Sequence, residues 1–400
     1  MKSTLAVSYE LDNTEKAANE LAAQVSLSLA GHSCGLLFFD VATDCGALAA
    51  TLEKKLSIPV AGCSTIATLD NKKGFRDFNV SLMVMTGDDV RFACALSEPT
   101  GAGSTAERLG AAYSEAASKL GEAPKLILVF SPNDADMVLD DCAEALDELS
   151  GGVPVFGGVP GFSMGSEESR VVLSGRAYSD RTLLVLLGGG IRPVFSVKNV
   201  LKSLAEHKRP VTSAKGSVVY KVGDVSFVEH MRQSGIAVEK IAASPDSLPF
   251  LPILLLLEAP QDENNDGFPL VRTLCALNLE EGFGASIGRI PQGADLSFVS
   301  LNSQDVELSC RLTLQDLAEQ IQAGESEGYV YSTAFAISCQ GRYILLAGDR
   351  GLEGRCLTEL SSPSLNLFGL YGYGELCPTS ARGGKNLNRA HNLSIVFCAF

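Results

Sequence analysis

The sequence predicts an α/β protein in which duplicated strand–helix–strand–hairpin units form mixed sheets covered by helices, in two domains. Three observations carry this. Short apolar runs of strand length alternate with amphipathic helical stretches. The pattern of residues 35–96 returns over 126–197. And 400 residues exceed one domain of roughly 150.

Taken in order, residues 13–30 place Ala17, Leu21, Val25 and Leu29 on one helical face. Residues 35–40 (GLLFFD) read as a buried strand, 44–56 as a helix, and 58–64 as a short strand ending in small residues. Residues 80–85 and 90–96, parted by Gly87, read as a hairpin. The second copy runs through a helix at 104–120, a strand at 126–131 (LILVFS), a helix at 136–149 and a glycine-ended strand at 153–158. A hairpin over 182–187 and 191–197 completes it. The offsets Phe39 to Phe130, Gly62 to Gly157 and Arg91 to Arg192 are 91, 95 and 101, a drift that loop insertions produce.

A weaker third copy has strands at 334–339, 366–374 and 393–400. The region between differs. It holds a short helix at 224–233 and strands at 270–279 and 295–301. Its helix at 313–322 is N-capped by Thr313, with Asp316 completing an acidic capping box. The Lys-, Arg-, Ser- and Gly-rich stretch 201–223 reads as a linker, which sets the domains at 1–222 and 223–400.

Composition narrows the function. There are 47 acidic against 32 basic residues, a formal net charge of −15, and no dense basic cluster to track phosphates, so nucleic acid is excluded as a partner. The best apolar run, 248–257, carries two prolines and is half the length of a membrane span, so no membrane insertion is expected. Eleven scattered cysteines without C-x-x-C spacing, and no signal peptide, point to a reducing cytoplasm.

Enzyme motifs are sparse. Phosphate-loop spacings are absent. Gly161-Phe162-Ser163-Met164-Gly165 matches the nucleophile elbow G-x-S-x-G, but residues 171–173 look like a strand where that turn needs a helix. A serine or cysteine hydrolase using Ser163 or Cys63 is therefore an alternative without a credible catalytic set. Cys63 has no basic neighbour in sequence to lower its pKa. The four histidines form no zinc motif, though His391, ahead of an apolar strand, could serve as an axial haem ligand or simply bond a turn.

Binding residues gather at strand ends, where α/β folds hold ligands. Gly62, Cys63, Ser64 and Thr65 form either a polar cup for a small molecule or a tight turn with satisfied hydroxyls. Ser338, Cys339 and Arg342 end the third-copy strand in the same way, and Arg342 could grip a carboxylate. Tyr373 and Glu375 lie on the neighbouring element, where Glu375 could meet an ammonium group or pair with Arg342.

These motifs, in order, resemble the FIST family of sensory domains. The N-terminal half shows it in Pro59-Val60-Ala61-Gly62-Cys63-Ser64-Thr65 and Val155-Phe156-Gly157-Gly158. The C-terminal half shows it in Leu270-Val271-Arg272, Ile290-Pro291-Gln292-Gly293, Ser338-Cys339-x-Gly341-Arg342, Phe368-Gly369-x-Tyr371-x-Tyr373-Gly374-Glu375 and His391-Asn392. The resemblance implies an intracellular sensory protein that binds a small ligand, amino acids among those proposed. It adds Gly157, Gly158 and Asn392 to the ligand-binding set. Some relatives look like haem-based nitric-oxide sensors, with a histidine in the position of His391. The two halves use up the 400 residues, so a stand-alone sensor signalling through a partner protein is expected. Val159-Pro160-Gly161-Phe162 stands where the family usually continues Ala-Gly-Asp, and Ser394 where it has Thr.

Overall fold

The computed structural model describes residues 1–29, 31–132, 138–162, 168–203, 207–242, 253–259, 266–380 and 386–400. It is a mixed α/β fold, three sheets with nine helices among the described residues.

The fold repeats three times. Each repeat has four strands, here a to d in chain order. Strand a is Lys2–Ser8, Val90–Leu96 or Val194–Val197, and strand b is Ser33–Phe39, Leu126–Phe130 or Thr333–Cys339. Strand c is Val60–Ser64, Val155–Pro160 or Asn366–Ser380, and strand d is Val80–Thr86, Leu183–Gly189 or Ile395–Ala399. In all three, b runs parallel to c. Strand d lies antiparallel to b and strand a antiparallel to d. One helix joins a to b: Thr14–Gln24, Thr105–Leu120 or Ser303–Ser326. Another lies between b and c: Cys45–Leu56, Leu139–Ser150 or Leu352–Leu360.

This order corrects the expected hairpins. Val80–Thr86 and Val90–Leu96 lie in different sheets, and Val90–Leu96 pairs instead with Leu183–Gly189. Likewise Val194–Val197 leaves its neighbour to pair with Ile395–Ala399. Each supposed hairpin partner is the opening strand of the next repeat. A glycine-containing connection suits a passage between sheets as well as it suits a turn.

The repeats also interlock. Residues 171–173, between strands c and d of the second repeat, pair with strand c of the first. Ala67–Asp70 of the first pairs with strand c of the third. Strand c of the third runs on to pair with strand c of the second. These exchanges form a ring around a shared core. There Phe38 lies 6.2 Å from Phe130 and 6.5 Å from Phe335, and stacks on Phe368 at 4.6 Å between ring centroids. Each repeat packs its outer sheet face under its own two helices.

Close backbone packing explains two glycines. A Cβ on Gly62 would sit 1.8 Å from the Leu37 carbonyl oxygen, and one on Gly157 1.8 Å from that of Val129. The two sites are structurally equivalent, so Phe130 answers to Phe38, one residue from the sequence alignment.

Between strand a and the first helix of the third repeat lies an inserted module. Its ladder runs through Asp295–Ser300, Arg209–Lys215, Val218–Val222, Phe283–Ile287, Leu270–Asn278 and Leu254–Glu258, then back to Asp295–Ser300. The ring is a six-stranded antiparallel barrel around Val211, Leu255, Leu274 and Phe298. The stretch expected to be a linker, 201–223, therefore supplies barrel strands. Its polar composition reflects their solvent-facing positions, since Arg209–Lys215 buries only Val211 among its seven residues. The barrel draws on both sides of residue 222.

The helix expected at 313–322 spans Ser303–Ser326. Its cap is Asn302, whose side chain accepts from the Gln304 and Asp305 backbone, with Asp305 closing a capping box. Thr313 is buried mid-helix and donates to the Ser309 carbonyl at 2.6 Å. A threonine that bonds the preceding turn reads in sequence like a cap. No described helix is long and apolar enough to cross a membrane.

Candidate functional site

The sequence-selected residues fall into three places. At the end of strand c in the first repeat, Gly62 and Cys63 are buried, and burial pushes the Cys63 thiol well above its ordinary range. Ser64 donates to the Gly161 carbonyl at 2.8 Å and accepts from the Arg170 backbone at 3.0 Å. The Thr65 hydroxyl lies 2.7 Å from the Ala67 carbonyl and accepts from the Tyr371 backbone at 3.1 Å. Both hydroxyls thus pin the crossing of the first repeat onto its neighbours. Gly157 holds the equivalent crossing in the second repeat, and a Cβ on Gly158 would sit 2.1 Å from the Gly374 carbonyl oxygen.

The second place is a buried ionic network in the third repeat. The five N–H donors of Arg342 go to Glu353 (2.8 and 2.7 Å), Ser309 (2.9 Å), the Val306 carbonyl (3.0 Å) and the Leu393 carbonyl (3.3 Å). Ser338 and Tyr371 both donate to the other Glu353 oxygen at 2.9 Å. Arg342 is therefore occupied within the protein, and its carboxylate partner is Glu353 rather than Glu375.

The third place is the seam between the barrel and the third repeat. Glu375 is wholly buried. Its Oε2 accepts from the Ser394 hydroxyl at 2.7 Å, while Oε1 has no hydrogen-bond partner among the described residues. Burial raises its pKa to about 8. The Cys339 thiol beside it is also pushed up, chiefly by burial. Cys339, Tyr373 and Asn392 line a cavity of about 20 Å³, enough for one water. Tyr373 packs on Phe162 at 5.1 Å, and burial lifts its phenol to about 12. Asn392 accepts from the Thr273 backbone at 3.3 Å, tying barrel to repeat.

Axial ligation of haem would need an open ring nitrogen on His391. Its ring is only 2% exposed, its Nε2 donates to the Cys377 carbonyl at 3.0 Å, and Phe268 stands edge-on at 5.6 Å. Burial lowers its pKa to about 4. A porphyrin has no approach to either ring nitrogen as placed, so these residues do not fit an axial haem ligand. Ser163 lies outside the described residues. Beyond it, residues 168–170 lead into the Val171–Leu173 strand rather than a helix.

A larger cleft, about 410 Å³, opens where the barrel meets the Leu139–Ser150 helix and the Asn386–His391 strand. Arg272, 1% exposed, reaches into it from the barrel and donates to Asp140 at 2.8 Å and to the Arg289 and Ala390 carbonyls. Burial lowers the pKa of its guanidinium, and Asp140 opposes that shift. Gly288, at φ +94°, makes the meeting possible, because a Cβ there would lie 2.8 Å from Arg272 Nε and 2.9 Å from Asp140 Oδ2. Arg289 pairs at the mouth with Asp141 and Glu144 and stays 41% exposed. Arg389 bonds Thr379 and Asp266, both at 3.1 Å. Buried Arg272 and two more accessible guanidiniums thus surround a small-molecule-sized space, each close to a carboxylate. Sequence reasoning used Arg272 and Ile290-Pro291 only as family motifs and did not select Asp140, Arg289 or Arg389. The available signal was Arg272 itself, a charge inside the apolar run LVRTLCAL.

Residues 33–224 match the FIST N domain, and residues 236–378 match the FIST C domain. The second match stops short of His391 and Asn392. No curated protein matches. Among solved structures, a cyanuric acid hydrolase from A. caulinodans aligns over 99% of this chain and 98% of its own, at 8% identity and a TM-score of 0.35.

Proposed function

Because the chain belongs to the FIST family, we propose that it is a cytoplasmic sensory protein that binds a small polar ligand and signals through a partner protein. The single observation that carries the reading is the 410 Å³ cleft between barrel and repeats, within the usual 300–1,000 Å³ range for small-ligand sites. Its chemistry favours a zwitterion such as an amino acid. The exposed Arg289 guanidinium suits a carboxylate, and Glu144 beside it suits an ammonium group. A ligand there would touch the barrel, the second repeat and the third-repeat strand together, which gives binding a way to shift one body against another.

Calorimetry with single amino acids tests this, using the wild-type chain and Arg289→Ala. Binding that weakens tenfold or more in the variant, with an unchanged melting temperature, supports the reading. Absence of binding by every amino acid, or binding indifferent to Arg289, rejects this ligand class at this cleft.

A further inference from the structure

All 11 cysteines of the chain are free thiols. Among the described residues, two pairs bring one thiol into hydrogen-bond contact with another: Cys34 with Cys94, and Cys310 with Cys356. The pairs differ in access. Cys310 and Cys356 are 0% and 1% exposed. Cys34 is closed off in the same way, but Cys94 is only half-buried, so solvent reaches one sulfur of that pair.

The position of Cys94 follows from the strand exchange. Val90–Leu96 ends its sheet and is laddered, among the described residues, to Leu183–Gly189 alone. Phe92, Cys94 and Leu96 alternate along it on the face that packs against the shared core. Cys34, near the start of strand b of the first repeat, belongs to that core. The two strands lie against each other, so sulfurs 60 residues apart in sequence meet at the junction of the first and second repeats. The contact with Cys94, and then burial, hold the Cys34 thiol well above its ordinary range, which makes it a poor first target for an oxidant.

We propose that Cys94 and Cys34 are an oxidation-sensitive pair, in which a peroxide oxidises Cys94 and Cys34 then closes a reversible disulfide between the first two repeats. The Cys94 sulfur attacks one peroxide oxygen, the O–O bond breaks, and water leaves with the thiol proton, giving a sulfenic acid. The Cys34 sulfur attacks that sulfur, the S–O bond breaks, and the departing hydroxide takes the Cys34 proton as a second water. Two thiols lose two electrons to one peroxide, and a dithiol reductant returns them. The pair stands apart from the ligand cleft and owes nothing to amino-acid binding.

Hydrogen peroxide added to the reduced full chain tests this, followed by denaturation, alkylation of the remaining thiols and peptide mass mapping. The expected product is a peptide pair joined through Cys34 and Cys94, two hydrogens lighter than its parts and released by dithiothreitol. Fragmentation separates Cys34 from Cys45, and Cys310 and Cys356 are still alkylated. The oxidised chain melts above the reduced one, because the bond closes a loop of 60 residues. Cys34→Ala stops the reaction at the sulfenic acid, which dimedone traps on Cys94, and removes the rise in melting temperature. Cys94 left as a thiol, or carried to sulfinic acid without the cross-link, would overturn the proposal. So would Cys310 and Cys356 joining first, or an oxidised chain that melts below the reduced one. These last readings need only the wild-type chain, so they stand whether or not Cys34→Ala folds.

Discussion

In the first repeat the polar strand end is uncharged, with Ser64 and Thr65 bonded to backbone of neighbouring segments. In the third, the same scaffold carries a buried guanidinium, a buried carboxylate and a second carboxyl left half-satisfied. The strand order is common to both, so strand order does not require charge. The added groups lie on the repeat that carries the barrel, and Arg342 and Glu375 both bond the Leu393–Ser394 backbone between strand d and the barrel seam. The difference teaches that the repeat whose strand end adjoins the barrel seam fills that position with a buried ionic network, where the first repeat fills it with hydroxyls.

The sharpest test concerns what the repeats share. Gly62→Ala and Gly157→Ala should each destabilise by about 4 kcal/mol or more, because both methyl groups strike a carbonyl oxygen. Denaturant unfolding that finds one of them harmless would break the equivalence. What the repeats do not share comes next. Glu353→Ala leaves Arg342 buried and unpaired and should cost about 3–5 kcal/mol. Thr65→Ala in the first repeat should cost about 1–2 kcal/mol. Equal losses would remove the distinction drawn above.

The two perturbed groups near the seam give smaller effects of opposite sign. Glu375 has a native pKa of about 8 against 4.5 in the unfolded chain, so the native state holds its proton longer. Its contribution is full below pH 4.5 and is lost as pH rises to about 8. Glu375→Gln should therefore flatten stability over that window and lose less stability than the wild type between pH 4.5 and pH 8. His391 has a native pKa of about 4 against 6.5. Its contribution is present above pH 6.5 and is lost as pH falls to about 4. His391→Phe should remove that acid-side loss, worth about 1–3 kcal/mol. Chemical denaturation at pH 4.5, 6.5 and 8 reads both. A Glu375→Gln profile that parallels the wild type would show that this carboxyl ionises freely.

Much of the scaffold was legible because it is local. The helix expected at 104–120 spans Thr105–Leu120, and the structure adds a capping box from Ser104 and Glu107. Repeating b strands and Gly62 with Gly157 announced the duplication. The parted hairpins were not legible, because adjacent strands usually pair and nothing in Gly87 says otherwise. The 410 Å³ cleft was not legible either. Asp140 meets Arg272 across 132 residues and the Arg289 backbone across 149, and no spacing rule reaches that far.

The exchange of strands between repeats sets a schedule for folding during synthesis. The first repeat has all four strands once Thr86 has left the ribosome, and the second once Gly189 has. The third opens at Val194, waits through the whole barrel, and gains its central strand only with Ile395–Ala399. Until then the edges of Val194–Val197 and Thr333–Cys339 that strand d will cover are open. For that interval the nascent chain is a pair of repeats with their own four strands carrying an unfinished third, and it is then most exposed to wrong pairing and most in need of a chaperone.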